Sequence, residues 1–153
     1  MLEGARLLDE QSVGTDLLFD QPFGMGNDTM AQKIEDILKE MGNEITGHIA
    51  STIVGMDALN IAAYSQQKID IEMASAQMTL LIKLVETSVE KVMGSMTLED
   101  DLLTTENTYM LLHVLPDKKH FMATIADRRT AVLGNMRLMS KIYSERIAKN
   151  MPH

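Results

Sequence analysis

Apolar residues recur along this chain in two rhythms. Steps of three and four mark three helices, and runs of alternating or continuous apolar, β-branched residues mark five strands. The longest uninterrupted stretch is Asp70 to Met93. Asp70 is suited to accept from the free N–H groups of a first helical turn, and Gly94 to end the last one. Within it Ile71, Ala74, Met78, Leu81, Val85, Val89 and Val92 form one apolar stripe. Met73, Ala76, Leu80 and Leu84 form a second, more than a third of a turn away. Glu72, Ser75, Thr79, Lys83, Glu86 and Glu90 fill the remaining side. A surface helix needs one stripe, so this helix needs two covers. One is the sheet of its own chain. The other is a further helix of the same chain or a partner molecule, and the partner is the reading favoured here, because the other helices are needed elsewhere.

Upstream, Ile34, Ile37, Leu38 and Met41 make a single stripe on a helix over about Met30–Met41, capped from Asn27, Asp28 or Thr29 and ended by Gly42. The β-branched run Ile49–Val54, a break at Gly55–Ala58 and a second run Leu59–Tyr64 predict a β-hairpin. After a loop over Ser95–Asp101 come Leu102–Thr105, Thr108–Leu115 and His120–Ala126, three short strands separated by turn residues. Asp127 is placed to cap a final helix reaching about Lys149. Its inner face is expected to hold Ala131, Val132, Met136, Leu138, Met139, Ile142, Tyr143 and Ile147, and its outer face Arg137, Ser140, Lys141 and Ser144. The order αββαβββα predicts an α+β sandwich, of the α/β class in the broad sense. A five-stranded antiparallel sheet carries the central helix on one face and the first and last helices on the other.

Composition narrows the function classes. The 153 residues suit one core, and the absence of Cys excludes disulfides and thiolate metal sites. The net charge of −8 is concentrated at the start. Residues 1–29 carry six acids against Arg6 alone and read as a flexible acidic tail, with 30–150 as the domain. Within that tail Leu7-Leu8, Leu17-Leu18-Phe19 and Phe23 are isolated apolar clusters, which fit either a solvated tail or a segment that folds onto a partner. An acidic chain without a basic stripe argues against nucleic acid and anionic lipid. No segment is apolar and long enough for membrane insertion, and no signal sequence is visible, which points to a cytoplasmic protein. The 14 Met residues read mainly as core filler.

Chemistry-bearing residues are scattered. No nucleophile elbow, phosphate loop or zinc spacing is present, so neither a catalytic residue, a cofactor nor a metal site is expected. His113 and His120 flank one hairpin loop without further ligands at a suitable spacing. Glu99, Asp100 and Asp101 read as a solvated loop, and Arg128 and Arg129 as cations beside the capping Asp127 rather than an arginine finger.

In this order and spacing the segments GHIASTIVGMDALNIAAYS, IDIEMASAQMTLLIKLVE, TTENTYMLLHVLPDKKHFMATIAD and RRTAVLGNMRLM resemble the Roadblock-type domain family of dynein light chains and MglB-like proteins. Leu133-Gly134 followed by Arg137 matches a recurring leucine–glycine–arginine pattern of that family, whereas Ala58 and Leu59 stand where its hairpin often carries Gly. The resemblance implies a homodimer formed by sheet-edge pairing and packed central helices. It also implies a non-catalytic role as activator or adaptor of a Ras-like small GTPase. Met73, Ala76, Leu80 and Leu84 are the expected dimer or partner interface. The alternative is a light-chain-like scaffold that binds a peptide or filament without any GTPase. A small-molecule sensor and an independent enzyme are the remaining readings, since no convergent polar pocket or catalytic grouping is visible.

Overall fold

A computed structural model describes residues 29–152 of the chain. Helix α1 occupies 29–44 and is followed by β1 (His48–Gly55), β2 (Asn60–Ser65), α2 (Ile71–Met93), β3 (Asp100–Thr104), β4 (Thr108–Val114), β5 (His120–Asp127) and α3 (Leu133–Lys149). The strands form one antiparallel sheet in the order β2-β1-β5-β4-β3. The hairpin β1-β2 and the meander β3-β4-β5 therefore meet at the centre, where β1 lies against β5. The expected αββαβββα sandwich is what the chain forms. The two candidate caps of α1 at 27 and 28, and the whole tail before them, lie outside the described residues.

Period-two alternation sends the strand side chains into two cores. Ile53, Leu111, Met122 and Ala126 join Ile34, Leu38 and Met41 of α1 and Met136, Tyr143 and Ile147 of α3. On the opposite face Val54, Leu112, Val114, Phe121 and Ala123 pack against Met78 and Ile82 of α2. α1 and α3 run antiparallel across their face. Arg146 donates to the Glu40 carboxylate, Tyr143 donates to the same group at 3.0 Å, and the Asn135 amide reaches the Glu44 carbonyl at 2.9 Å. Those bonds hold the Glu40 carboxyl below the usual carboxylate range, Arg146 contributing most.

Local signals explain most boundaries. Asp70 Oδ1 accepts from Met73 N at 3.0 Å, and Gly94 ends α2 with φ of 82°. In the first hairpin Ala58 takes φ of 73° where a glycine would be relaxed, and the turn closes through Gly55 N–H to the Leu59 carbonyl at 2.8 Å. Several expectations need correction. Gly42 does not end α1, which runs on to residue 44. The lack of a side chain there instead admits the His48 and Tyr64 rings, since a Cβ would lie 3.0 Å from His48 Nδ1 and 3.2 Å from Tyr64 Cε2. Asp100 and Asp101 are the first residues of β3, not loop. Asp127 does not cap α3. Its carboxylate is occupied by the Arg129 guanidinium and backbone N–H, a turn intervenes, and α3 starts after Val132 with no side-chain cap.

Both long helices are also rotated from their expected facing. Beneath α2 the buried residues are Ser75, Met78, Thr79 and Ile82; beneath α3 they are Met136, Ser140, Tyr143, Ser144 and Ile147. The four hydroxyl residues were expected on outer, polar sides, and Val132, Leu138 and Ile142 were expected inside but are exposed. Small side chains under a helix let its backbone approach the sheet closely. Thr79 and Ser144 satisfy their hydroxyls on carbonyls of their own helix, Ser75 O at 2.7 Å and Lys141 O at 2.9 Å.

Candidate functional site

Rotation of α2 decides what it shows to solvent. With Ser75, Met78, Thr79 and Ile82 against the sheet, a helix of 100° per residue turns Met73, Ala76, Leu80 and Leu84 away from it. All four are exposed, Met73 at 62%, Leu80 at 66% and Leu84 at 64%. Ile71, Ala74, Leu81, Val85 and Val89 lie along the flanks, half-buried. Among the described residues nothing covers the stripe, which lies on the outside of a helix 23 residues long. Val92 and Met93 at the end of α2 and Met96 just after it are also exposed. An apolar row of this length is unusual on the surface of a solitary domain, where large exposed side chains are normally scattered.

Of the polar groups singled out by the sequence, His120, Arg128 and Arg129 are engaged structurally, as is the buried His48. His48, the first residue of β1, is buried, and the Tyr64 ring stacks on it at 5.8 Å. Its Nδ1–H donates to Gln66 Oε1 at 3.0 Å, so Nε2 accepts the Ser51 hydroxyl at 2.7 Å, and Ser51 is in turn 3.2 Å from Thr124 Oγ1. A Ser–His contact of this length resembles the start of a nucleophile–base pair. Here Ser51 is buried, and the third group is an amide in place of a carboxylate, so the network clasps β1 to β5 and the loop after β2. Burial holds the His48 pKa below its usual value against the opposing effect of Gln66.

His113 and His120 do not form a site together. The His120 ring binds Asp117 Oδ2 at 2.6 Å within its own hairpin loop. Burial tends to raise the Asp117 carboxyl, but bonds from the Lys119 and His120 N–H groups and the His120 ring outweigh it and hold it low. His113 faces a cleft of about 390 Å³ between α3 and the β3-β4 edge, with Asp100, Arg137 and Lys141. Burial lowers its pKa, although Asp100 and Glu99 pull the other way. Arg137 lies 3.4 Å from Asp100. Neighbouring Asp101 sits on the α2 side, its carboxyl raised by burial and then by Asp100. Among the described residues no group of three or more His, Cys, Asp or Glu side chains is placed to hold a metal ion.

Arg128 donates to the Thr105 carbonyl at 3.1 Å and lies over the Tyr109 ring, while Arg129 is tied to Asp127. Neither reaches outward as a free cation. Among the described residues no helix is long and apolar enough to cross a membrane.

No protein-family profile matches this chain, and no curated protein does so either. Solved structures do. An MglB with a tetrameric arrangement superposes with a TM-score of 0.70 at 13% identity, covering 79% of this chain and 89% of the other. The MglB of Myxococcus xanthus gives 0.67 at 18% identity, covering 76% and 93%. A Roadblock/LC7 domain from Streptomyces avermitilis gives 0.68 at 9% identity, covering 75% and 94%. The chain has the Roadblock-type fold.

Proposed function

We propose that this protein is a non-catalytic regulator or adaptor that works as a pair of identical chains joined through Met73, Ala76, Leu80 and Leu84, and that its client is a Ras-like small GTPase. The observation that carries the reading is the free apolar row on α2. Met73, Ala76, Leu80 and Leu84 share one side of α2, and covering them with a second copy would take these exposed apolar side chains out of water. The absence of Gly and Pro from α2 keeps the row straight and rigid. MglB, whose fold this chain shares, is known in a tetrameric arrangement, which supports self-association of such domains.

A regulator of this kind acts by position. A rigid paired surface holds the switch loops of the GTPase so that its own water-orienting residue is in place. Arg128 and Arg129 are held by Thr105, Tyr109 and Asp127, so the reading assigns them no finger role.

The test compares wild-type protein with Leu80→Asp by sedimentation, then measures binding to a small GTPase loaded with GTP and the rate of hydrolysis. Wild type is expected to sediment as a dimer and the variant as a folded monomer, because Leu80 is exposed in the single chain. The GTPase is expected to bind the dimer and hydrolyse faster. A tight complex with unchanged hydrolysis narrows the role to adaptor. A wild-type monomer at high concentration overturns the paired reading, and binding only of a peptide or filament makes the protein a scaffold.

A further inference from the structure

The edge strand β3 reaches past the helix on its face of the sheet. α3 packs mainly over β4 and β5, and a cleft of about 390 Å³ opens between α3 and the β3-β4 edge. That volume is at the small end of the range for small-molecule sites, about 300–1,000 Å³. The charged lining is evenly divided, Glu99, Asp100 and Glu145 against Lys118, Arg137 and Lys141. Asp100 and Arg137 pair with each other at 3.4 Å. The other four side chains have no hydrogen bond or ion pair among the described residues. Pro116 and the exposed Leu138 add apolar wall.

His113 lines the same cleft, half-buried, and neither of its ring nitrogens has a hydrogen bond among the described residues. Burial lowers its pKa most, Asp100 and Glu99 oppose that, and Lys141 and Lys118 add to it. Charges of both signs therefore converge on one imidazole. A lining so balanced favours neither a simple anion nor a simple cation, because each would meet as many like charges as opposite ones. A small molecule that carries both charges can meet each set with the opposite sign. We propose that this cleft binds a zwitterionic α-amino acid with an apolar side chain, its carboxylate held by Lys118 and Lys141, its ammonium by Glu99 and Glu145, and its side chain against Leu138 and Pro116. The neutral imidazole of His113 offers the same ligand one donor and one acceptor. The cleft is on the α3 side of the sheet, so the proposal does not rest on pairing through α2.

The test titrates L-leucine, L-methionine and L-phenylalanine separately into isotope-labelled full-length protein and follows the backbone amide signals. At least one should give saturable shifts clustered at Asp100, His113, Lys141 and Glu145. For that amino acid, the N-acetyl form lacks the ammonium and the amide form lacks the carboxylate. Each should bind roughly tenfold more weakly, or worse, through the loss of its charge-assisted contacts. Lys118→Glu with Lys141→Glu, both at exposed positions, should abolish binding and leave signals away from the cleft in place. Glu99→Gln with Glu145→Gln should no longer distinguish the free amino acid from its N-acetyl form. The proposal is overturned by the absence of saturable shifts with all three amino acids at millimolar concentration. Capped forms that bind as tightly as the free amino acid overturn it too, as do shifts that map to another surface or survive the double lysine substitution.

Discussion

Single side chains set the rotation of both large helices. Ser140 is 1% exposed and its hydroxyl has no hydrogen-bond partner among the described residues, whereas Ser144, also buried, bonds the Lys141 carbonyl. A buried hydroxyl without a partner costs about 1–3 kcal/mol of desolvation. Ser140→Ala is therefore expected to stabilise the fold by about 1 kcal/mol, and Ser144→Ala to change it less, as read by urea midpoints. His48 gives a pH dependence. Its folded-state pKa lies below the unfolded value because burial disfavours the charged ring. Above the unfolded value the ring is neutral in both states. As pH falls below it the unfolded chain takes up a proton that the fold refuses, and stability drops by at most about 1.4 kcal/mol per pH unit until the folded pKa is reached. Wild type should thus be less stable at pH 5.5 than at 7.5. His48→Gln should flatten part of the fall, with the remainder coming from His113, whose pKa is lowered in the same direction.

At the level of elements, two helical glycines that look alike in sequence behave oppositely. A Cβ on Gly42 would meet the His48 ring at 3.0 Å and the Tyr64 ring at 3.2 Å, and both rings are fixed by stacking and hydrogen bonds. A Cβ on Gly134 meets nothing within 4 Å. Alanine gains about 1 kcal/mol of helix propensity at either site, but overpacking costs about 1–3 kcal/mol. Gly42→Ala should lower the thermal midpoint and Gly134→Ala raise it. This pair also marks what was legible in the sequence. Strands were visible because Ile49–Val54 and Thr108–Leu115 carry a β-branched, apolar signal that needs no tertiary information. The span of α2 was visible because Asp70 and Gly94 are local caps. The rotation of α2 and α3 was not, because apolar periodicity ranks Leu138 above Ser140 and takes no account of size. Close approach to a sheet favours the small residue even when it is polar. The start of α3 was hidden for a related reason: Asp127 has the right chemistry for a cap but is held by Arg129 in the preceding turn. Spacing alone set Met73, Ala76, Leu80 and Leu84 apart, whereas Ile82, which the pattern assigned to neither stripe, is fully buried on the opposite, sheet-facing side of the helix.

For the whole molecule, the sheet is covered unequally. Two helices share one face and a single helix takes the other, so among the described residues the outer side of α2 has no further layer above it. The pairing we propose would supply that layer, and it would then enter the folding equilibrium. A protein that unfolds from a dimer to separate chains gains stability by mass action as its concentration rises. Each tenfold increase is worth about 1.4 kcal/mol per dimer, which for roughly 250 ordered residues is a rise of about 2–4 °C in the midpoint. Wild-type melting curves recorded over a hundredfold range of concentration are therefore expected to move steadily upward. Leu80→Asp places a carboxylate in the middle of the row without disturbing the core beneath, so its curves should superimpose at all concentrations. Because Ser75, Met78, Thr79 and Ile82 are untouched, the variant should unfold cooperatively at the midpoint that wild type approaches on dilution. Wild-type curves that do not shift would show that the row is tolerated in water and that the single chain is already the complete folding unit.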